Sequence, residues 1–230
     1  MRVPLTIGDF LERAALVYGD RVAVVDEPGV PGSLGRLTYA ELHDRARALA
    51  VGLDAMGLAA GDRVAIVSPN SARFLASYFG VSGFGRVLVP INFRLSADEI
   101  AYIVEHSGST VVLYDPEFDE VMAQVGGPRR IRLDGIEDAA LFDPAAGRLT
   151  EPIGWTPDEE ATCSINYTSG TTARPKGVQL THRNCWLNAV SFGWHIGVSD
   201  RDVLLHTLPM FHANGWGMPY ACLLYTSRCV

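Results

Sequence analysis

The chain has 230 residues, of which 48% are hydrophobic and 20% are charged, a composition typical of a folded protein with one sizeable core or two small ones. Its net charge of -7, without a cluster of Lys and Arg that forms a basic face, argues against a nucleic-acid-binding protein. No apolar run approaches the roughly 20 residues of a transmembrane segment, and the N-terminal stretch lacks the apolar centre of a secretory signal. We therefore expect a cytoplasmic protein with reduced cysteines.

The first 134 residues predict strands that alternate with amphipathic helices. Thr38 with Glu41, and Ser96 with Glu99, have the spacing of capping boxes and predict a helix start at each place. Gly57 is expected to end the first of these two helices. The predicted helices span 6–18, 38–57, 71–82, 96–108 and 118–125, and the predicted strands lie in RVAVVDE, RVAIVSPNS, GRVLVPIN, STVVLYD and RRIRLD. The strands contain nearly continuous Val, Ile and Leu, which favours a parallel sheet with helices packed on its faces.

The second half predicts further strands and helices after a connector. Residues 135–160 are rich in Pro, Gly and Asp and are expected to be irregular. Strands are predicted for ATCSINYTS, GVQLTH and DVLLHTLPM, one helix for RNCWLNAVSFGWHIG, and another helix after the turn FHANG. The predicted fold class is α/β, with mostly parallel sheets flanked by helices.

A loop between two of these strands concentrates groups that bind phosphate. Residues 166–182 read NYTSGTTARPKGVQLTH, with clustered hydroxyl donors and a mobile cation at Lys176. Gly170 permits positive φ, so backbone N–H groups can approach a ligand closely. A P-loop needs glycine directly before its lysine and a hydroxyl directly after, whereas Pro175 and Gly177 occupy these places here. The pattern predicts a phosphate site of another design; the alternative is a surface turn rich in Ser and Thr.

The segment YTSGTTARPKGV closely resembles the signature [YF]TSGTTGxPKG of the adenylate-forming superfamily, which includes acyl-CoA synthetases, aryl-CoA ligases, luciferases and peptide-synthetase adenylation domains. Further stretches, among them VLVPINFRLSADEIAYIVEHSGSTVVLYD and LPMFHANGWGMPYA, resemble fatty-acyl-CoA synthetases along nearly the whole chain. The departure is Ala173, where the signature has glycine, and we interpret it as a subfamily variant.

The resemblance implies an acid–CoA ligase that works in two steps. A small-molecule carboxylic acid, expected to be a fatty acid of medium or long chain, attacks the α-phosphate of ATP to give acyl-AMP and pyrophosphate. The thiol of coenzyme A then attacks the acyl carbon while AMP leaves. Mg²⁺ and preorganised donors would hold the charge of the departing pyrophosphate. Carried over by position, the residues expected at the triphosphate are Thr168, Ser169, Gly170, Thr171, Thr172 and Lys176.

A second candidate group lies in the turn PMFHANG. By resemblance, His212 is expected at the acyl pocket near the reacting carboxylate, with Asn214 and Gly215 as further pocket candidates. The alternatives are that His212 caps a helix or is a buried structural residue. His182 and His206 are expected to be structural, because one ends a predicted strand and the other lies inside one. No catalytic residue or metal ligand is assigned within the chain.

The resemblance also implies functional groups that these 230 positions do not contain: a Thr-Glu motif for Mg²⁺ and adenine, an Asp for the ribose, and a small C-terminal domain with a catalytic lysine. We therefore expect positions 1–221 to be a partial AMP-binding domain that is inactive alone. Residues 222–230, CLLYTSRCV, match the translation of a transposon end used in sequencing libraries and are expected to be an artefactual tail. Two other functions stay open: an aryl- or amino-acid-adenylating relative, and a non-catalytic nucleotide-binding fragment.

Overall fold

Strands and helices alternate along the protein. The computed structural model describes residues 3–30, 32–134, 136–142, 151–168 and 174–225, and the backbone of 228–229. The described helices are α1 (Gly8–Tyr18), α2 (Tyr39–Ala55), α3 (Ala72–Ser77, continued by a wider π turn Tyr78–Ser82), α4 (Ala97–Ser107), α5 (Asp119–Met122), α6 (Ala139–Phe142), α7 (His182–Ile196), α8 (Ala213–Trp216) and α9 (Met218–Leu224). The described strands are β1 (Val22–Val25), β2 (Arg36–Thr38), β3 (Arg63–Val67), β4 (Val87–Ile91), β5 (Ser109–Tyr114), β6 (Arg129–Arg132), β7 (Thr162–Thr168), β8 (Lys176–Thr181), β9 (Val203–Leu204) and β10 (Arg228–Cys229).

Two mixed sheets form the framework of the fold. The larger has the order β6-β5-β3-β4-β7-β8, and its first five strands are parallel. β8 runs antiparallel to β7 because a hairpin joins the two strands directly. The smaller sheet has the order β2-β1-β10-β9, with β1 and β2 antiparallel. The predicted fold class, mostly parallel sheets flanked by helices, is confirmed.

The central strands of the larger sheet are buried on both faces, which explains their apolar sequences. Along β3, Val64 and Ile66 belong to one apolar cluster, whereas Ala65 and Val67 belong to a second cluster on the opposite face. The first cluster contains α1, α2, α3 and α9, and the second contains α4 and α5. The core therefore holds the carboxyl ends of the parallel strands at one fixed edge.

Local sequence signals determine where the main helices begin and end. Both capping boxes are present: the hydroxyls of Thr38 and Ser96 accept from the backbone N–H groups of Glu41 and Glu99, and the backbone N–H groups of Thr38 and Ser96 donate to the carboxylates of Glu41 and Glu99. α2 ends at Ala55 with Met56 as its C-cap, and Gly57 follows with a φ of +83°, which is accessible without strain only to glycine. These predictions are confirmed.

Three expectations need correction. The predicted strand DVLLHTLPM is hydrogen-bonded in a sheet only at Val203–Leu204, because tertiary hydrogen bonds hold the rest of the segment. The connector 135–160 contains α6, which packs apolar side chains against α2. Cys222 is disulfide-bonded, whereas Cys163 and Cys185 are free thiols as expected.

In the ranges given above, no helix has the length and apolar character needed to span a bilayer.

Candidate functional site

The end of the β7–β8 hairpin presents a hydroxyl and an ammonium group side by side. Thr168 ends β7 and Lys176 begins β8; the two are directly paired across the strands and both are exposed. The carboxyl end of β7 lies at the same sheet edge as those of β3 and β4, which is the ligand-binding edge of open α/β sheets. The remaining members of the predicted set lie outside the described residues: Ser169, Gly170, Thr171, Thr172 and the variant Ala173.

Helix α4 braces the hairpin. The hydroxyl of Tyr102 donates to the carbonyl of Pro175 at 3.4 Å, and the guanidinium of Arg174 lies 5.3 Å from the centre of the Tyr102 ring. On the other arm, the hydroxyl of Tyr167 lies 2.7 Å from Nδ1 of His106. Both arms of the loop are thus anchored to one rigid helix, so Thr168 and Lys176 are held in place before any ligand arrives.

A buried polar network connects the hairpin to the second candidate group. Oδ1 of Asn214 accepts from Oγ of Ser164 at 3.1 Å and from Nδ2 of Asn166 at 3.0 Å. Nδ2 of Asn214 donates to the hydroxyl of Tyr220 at 3.4 Å. The role of Ser164 and Asn166 was not predicted from the sequence. Two polar residues at alternate positions of an apolar strand nevertheless indicate a polar contact on its inner face. The network joins β7 to the turn that carries His212.

That turn has left-handed backbone geometry. The φ angles of Ala213, Asn214, Gly215, Trp216 and Gly217 are 47°, 50°, 61°, 60° and 74°. For residues with a side chain this conformation costs roughly 1–2 kcal/mol each, and such strain concentrates at functional sites. A helix was predicted to begin here, and the regular helix α9 begins only at Met218.

His212 stands directly before the left-handed turn. Its side chain is exposed and makes no capping hydrogen bond, so both structural alternatives for His212 are wrong. His212 lines a cavity of about 390 Å³, here called the His212 cavity, together with Leu180, Asn184, Cys185, Asn188, Ala213, Asn214, Trp216, Gly217 and Tyr220. Gly215 is buried and packs against His206, so it contributes to the shape of the turn and not to the lining of the cavity.

The segment before this turn is fixed from the opposite side. Nδ2 of Asn70 donates to the carbonyl of Leu208 at 2.9 Å, and Oδ1 of Asn70 accepts from the N–H of Met210 at 2.8 Å. The hydroxyl of Tyr78, buried in the core, donates to the carbonyl of Met210 at 2.6 Å. The loop after β3 therefore sets the position of His212 relative to the hairpin.

The chain that forms the hairpin and the His212 turn matches a known protein family. The family model for AMP-binding enzymes matches residues 11–230, which is most of the chain. The chain belongs to the AMP-binding enzyme family. The resemblance carried by the segment YTSGTTARPKGV is thereby confirmed.

Curated members of the AMP-binding family extend well beyond the matched region. The chain is 39% identical to the long-chain-fatty-acid–CoA ligase of Thermus thermophilus, covering 98% of this chain and 43% of that protein. It is 35% identical to the medium-chain-fatty-acid–CoA ligase of Ectopseudomonas oleovorans, covering 100% and 45%. The crystal structure of the N-terminal domain of FACL13 from Mycobacterium tuberculosis matches with a TM-score of 0.84 at 31% identity, covering 100% and 56%. The chain thus spans less than half the length of these curated relatives.

Two further histidines of this AMP-binding chain, His182 and His206, make packing contacts within the fold. His182 is fully buried; its Nδ1 accepts from the N–H of Ile7 at 3.4 Å, and its ring stacks on Trp155 at 5.2 Å. Burial lowers the pKa of His182 to about 4, so the ring is neutral at physiological pH. His182 begins α7 instead of ending a strand. Burial also lowers the pKa of His206.

The resemblance implies Mg²⁺ for this family. Within the described ranges, no group of three His, Cys, Asp or Glu side chains is arranged to hold a metal ion.

Proposed function

We propose that a protein containing this chain, together with the remaining length of its relatives, activates a fatty acid with ATP and transfers the acyl group to coenzyme A. The observation that supports this most strongly is the pairing of Thr168 with Lys176 at the carboxyl edge of the sheet, inside the family signature. The fatty-acid–CoA ligases named above support the choice of acid class.

In the first step, the carboxylate oxygen attacks the α-phosphate of ATP and the bond to the β-phosphate breaks. Negative charge then gathers on the departing pyrophosphate. The ammonium of Lys176 and the hydroxyl of Thr168 balance it, and their preorganisation by α4 avoids a reorganisation cost during the step. Ser169, Gly170, Thr171 and Thr172 are proposed to add hydroxyl and backbone donors.

The acid is proposed to lie in the His212 cavity. Its wall contains apolar surface from Leu180, Trp216 and Tyr220, which suits an alkyl chain, while His212 supplies a polar group at the mouth. Asn214 and Gly215 hold the turn in its left-handed shape, so they are proposed to position His212 relative to the carboxylate. In the second step the thiol of coenzyme A attacks the acyl carbon and AMP leaves.

Product analysis tests the proposal. A protein completed to the relatives' length is incubated with ATP, coenzyme A and one acid at a time from the fatty, aryl and amino-acid classes, and acyl-AMP and acyl-CoA are measured by mass spectrometry. We expect both products with a fatty acid and neither product from the 230-residue chain alone. Products only with aryl or amino acids would support the adenylating relatives instead, and no product with any acid would contradict the ligase assignment.

A further inference from the structure

Two free thiols lie side by side beneath the His212 cavity. The sulfur atoms of Cys163, in β7, and Cys185, in the first turn of α7, are 3.6 Å apart. A disulfide has a sulfur–sulfur distance of about 2.05 Å, so an approach of about 1.5 Å would join the strand to the helix. The family chemistry described above uses neither thiol.

The two thiols differ in access. Both thiols are buried, but Cys185 is 5% exposed and lines the His212 cavity, whereas Cys163 has no exposed surface. The thiol of Cys163 also donates to the carbonyl of Leu180 at 3.3 Å. The hydrogen bond with Cys185, together with burial, raises the pKa of the Cys163 thiol well above its ordinary value. Cys163 therefore stays protonated, and Cys185 is the first thiol available to an electrophile.

Cys163 lies where the pairing of β7 with β8 is irregular, although its carbonyl accepts from the hydroxyl of Ser82 at 2.6 Å. The pairing of β7 with β8 shifts register between Thr162 and Ser164, which makes Cys163 an extra residue at a bulge. A bulged residue is not locked into the ladder on both sides, so its side chain can shift toward α7. Ser164, the next residue, donates to Asn214, so a shift would reach the turn that carries His212.

We propose that Cys185 and Cys163 form an oxidant-reactive dithiol site that takes small peroxides through the His212 cavity. The Cys185 sulfur attacks one peroxide oxygen, the O–O bond breaks, and the other oxygen leaves as hydroxide and takes up the thiol proton to become water. The Cys163 sulfur then attacks the Cys185 sulfenic acid, the S–O bond breaks, and the second oxygen leaves as water with the Cys163 proton. Two thiols and one hydrogen peroxide thus give one disulfide and two waters, and an added thiol reductant reverses the bond.

Peptide mapping of the peroxide-treated folded chain tests this site. Trypsin cleaves after Lys176 and Arg183, so the two cysteines fall on different peptides whose cross-link has a unique mass. We expect a Cys163–Cys185 cross-link that disappears with dithiothreitol. Absence of the cross-link, with Cys185 either unmodified or oxidised to sulfinic acid, would overturn the proposal.

Two matched variants test the assigned order. In Cys163→Ala, dimedone should trap a sulfenic acid at Cys185, because no resolving thiol remains. In Cys185→Ala, Cys163 should oxidise at least about tenfold more slowly than Cys185 does in the first variant, because it is sealed in the core. Equal rates would contradict the order of attack. Circular dichroism verifies that each variant is folded, and if one is not, the cross-link in the unmodified chain decides the question by itself.

Discussion

Lys176 is the residue on which the proposed chemistry depends most. It is exposed at the start of β8, beside Thr168, and no ion pair involves it in the described part of the chain. An ammonium group is a compact charge with three donors, which suits a departing pyrophosphate. Arg174, two residues earlier, is also exposed but lies over the ring of Tyr102.

Replacing Lys176 by Met should therefore lower kcat/KM for acyl-AMP formation in the completed protein by about 10²–10³-fold, since a preorganised charge is lost from the first step. Arg174→Met removes the same charge from the same loop together with one contact to Tyr102 and serves as the comparison variant, with a clearly smaller loss of kcat/KM expected because the hydrogen bond from Tyr102 to Pro175 remains. Equal losses in the two variants would show that only general electrostatic attraction is at work.

His182 makes the stability of the chain depend on pH. The unfolded chain protonates this histidine below about pH 6.5, whereas the folded chain does so only below about pH 4. Stability is therefore fully present above pH 6.5 and is lost as the pH falls through this window, by about 2 kcal/mol at pH 5. Urea unfolding at pH 7 and pH 5 measures the loss.

The variant His182→Gln serves as the control, because an amide oxygen can still accept from Ile7 N–H and does not titrate. It should lose correspondingly less stability between the two pH values. An identical pH dependence in both proteins would assign the effect to other groups.

Asn214 combines a buried polar contact with a strained backbone. Asn214→Ala would leave Ser164 and Asn166 without their acceptor and would place a methyl group at φ 50°, so we expect a loss of about 2–4 kcal/mol in the free energy of unfolding. Asn214→Gly loses the same contacts without the backbone strain and should be about 1 kcal/mol more stable than the Ala variant. Chemical denaturation of the pair separates the two contributions; equal stabilities would argue against left-handed strain.

At the scale of elements, a glycine sets how closely α2 approaches the π turn after α3. A Cβ atom at Gly80 would lie 2.6 Å from the carbonyl oxygen of Ala46 and 2.9 Å from the side chain of Leu49. Since Ala46 is fixed by the helix, Gly80→Ala should destabilise the fold by about 1–3 kcal/mol. Gly126→Ala meets no atom within 4 Å and should change stability little. Thermal unfolding compares them, and a tolerated Gly80→Ala would contradict the tight packing described here.

The elements also show which features local sequence can predict. Helix starts at Thr38 and Ser96 follow from contacts within four residues, and the buried strands follow from their continuous apolar character. The antiparallel direction of β8 was not predicted, although the short connection to β7 implies it. The strand predicted for 202–210 was too long, because Asn70 and Tyr78 make hydrogen bonds with the backbone of Leu208 and Met210 in place of a neighbouring strand.

At the scale of the whole molecule, the sequence predicted the loop between two strands, but not the contacts that hold the site together. Asn214 is about fifty positions from its partners in β7, and Cys185 is on a different element from Cys163. Such contacts depend on tertiary packing, which the periodicity of a sequence does not report. The left-handed turn around the exposed Trp216 likewise could not be predicted from the spacing of apolar residues.

The hairpin and the His212 turn are proposed to serve one reaction, the activation of a fatty acid by ATP. Fatty-acid-dependent exchange of labelled pyrophosphate into ATP measures this step directly in the completed protein, because exchange requires reversible formation of acyl-AMP at one site. We expect labelled pyrophosphate to enter ATP only when the acid is added, and we expect Lys176→Met to reduce the rate of this exchange strongly. Absence of exchange with every acid, or full exchange without Lys176, would contradict it.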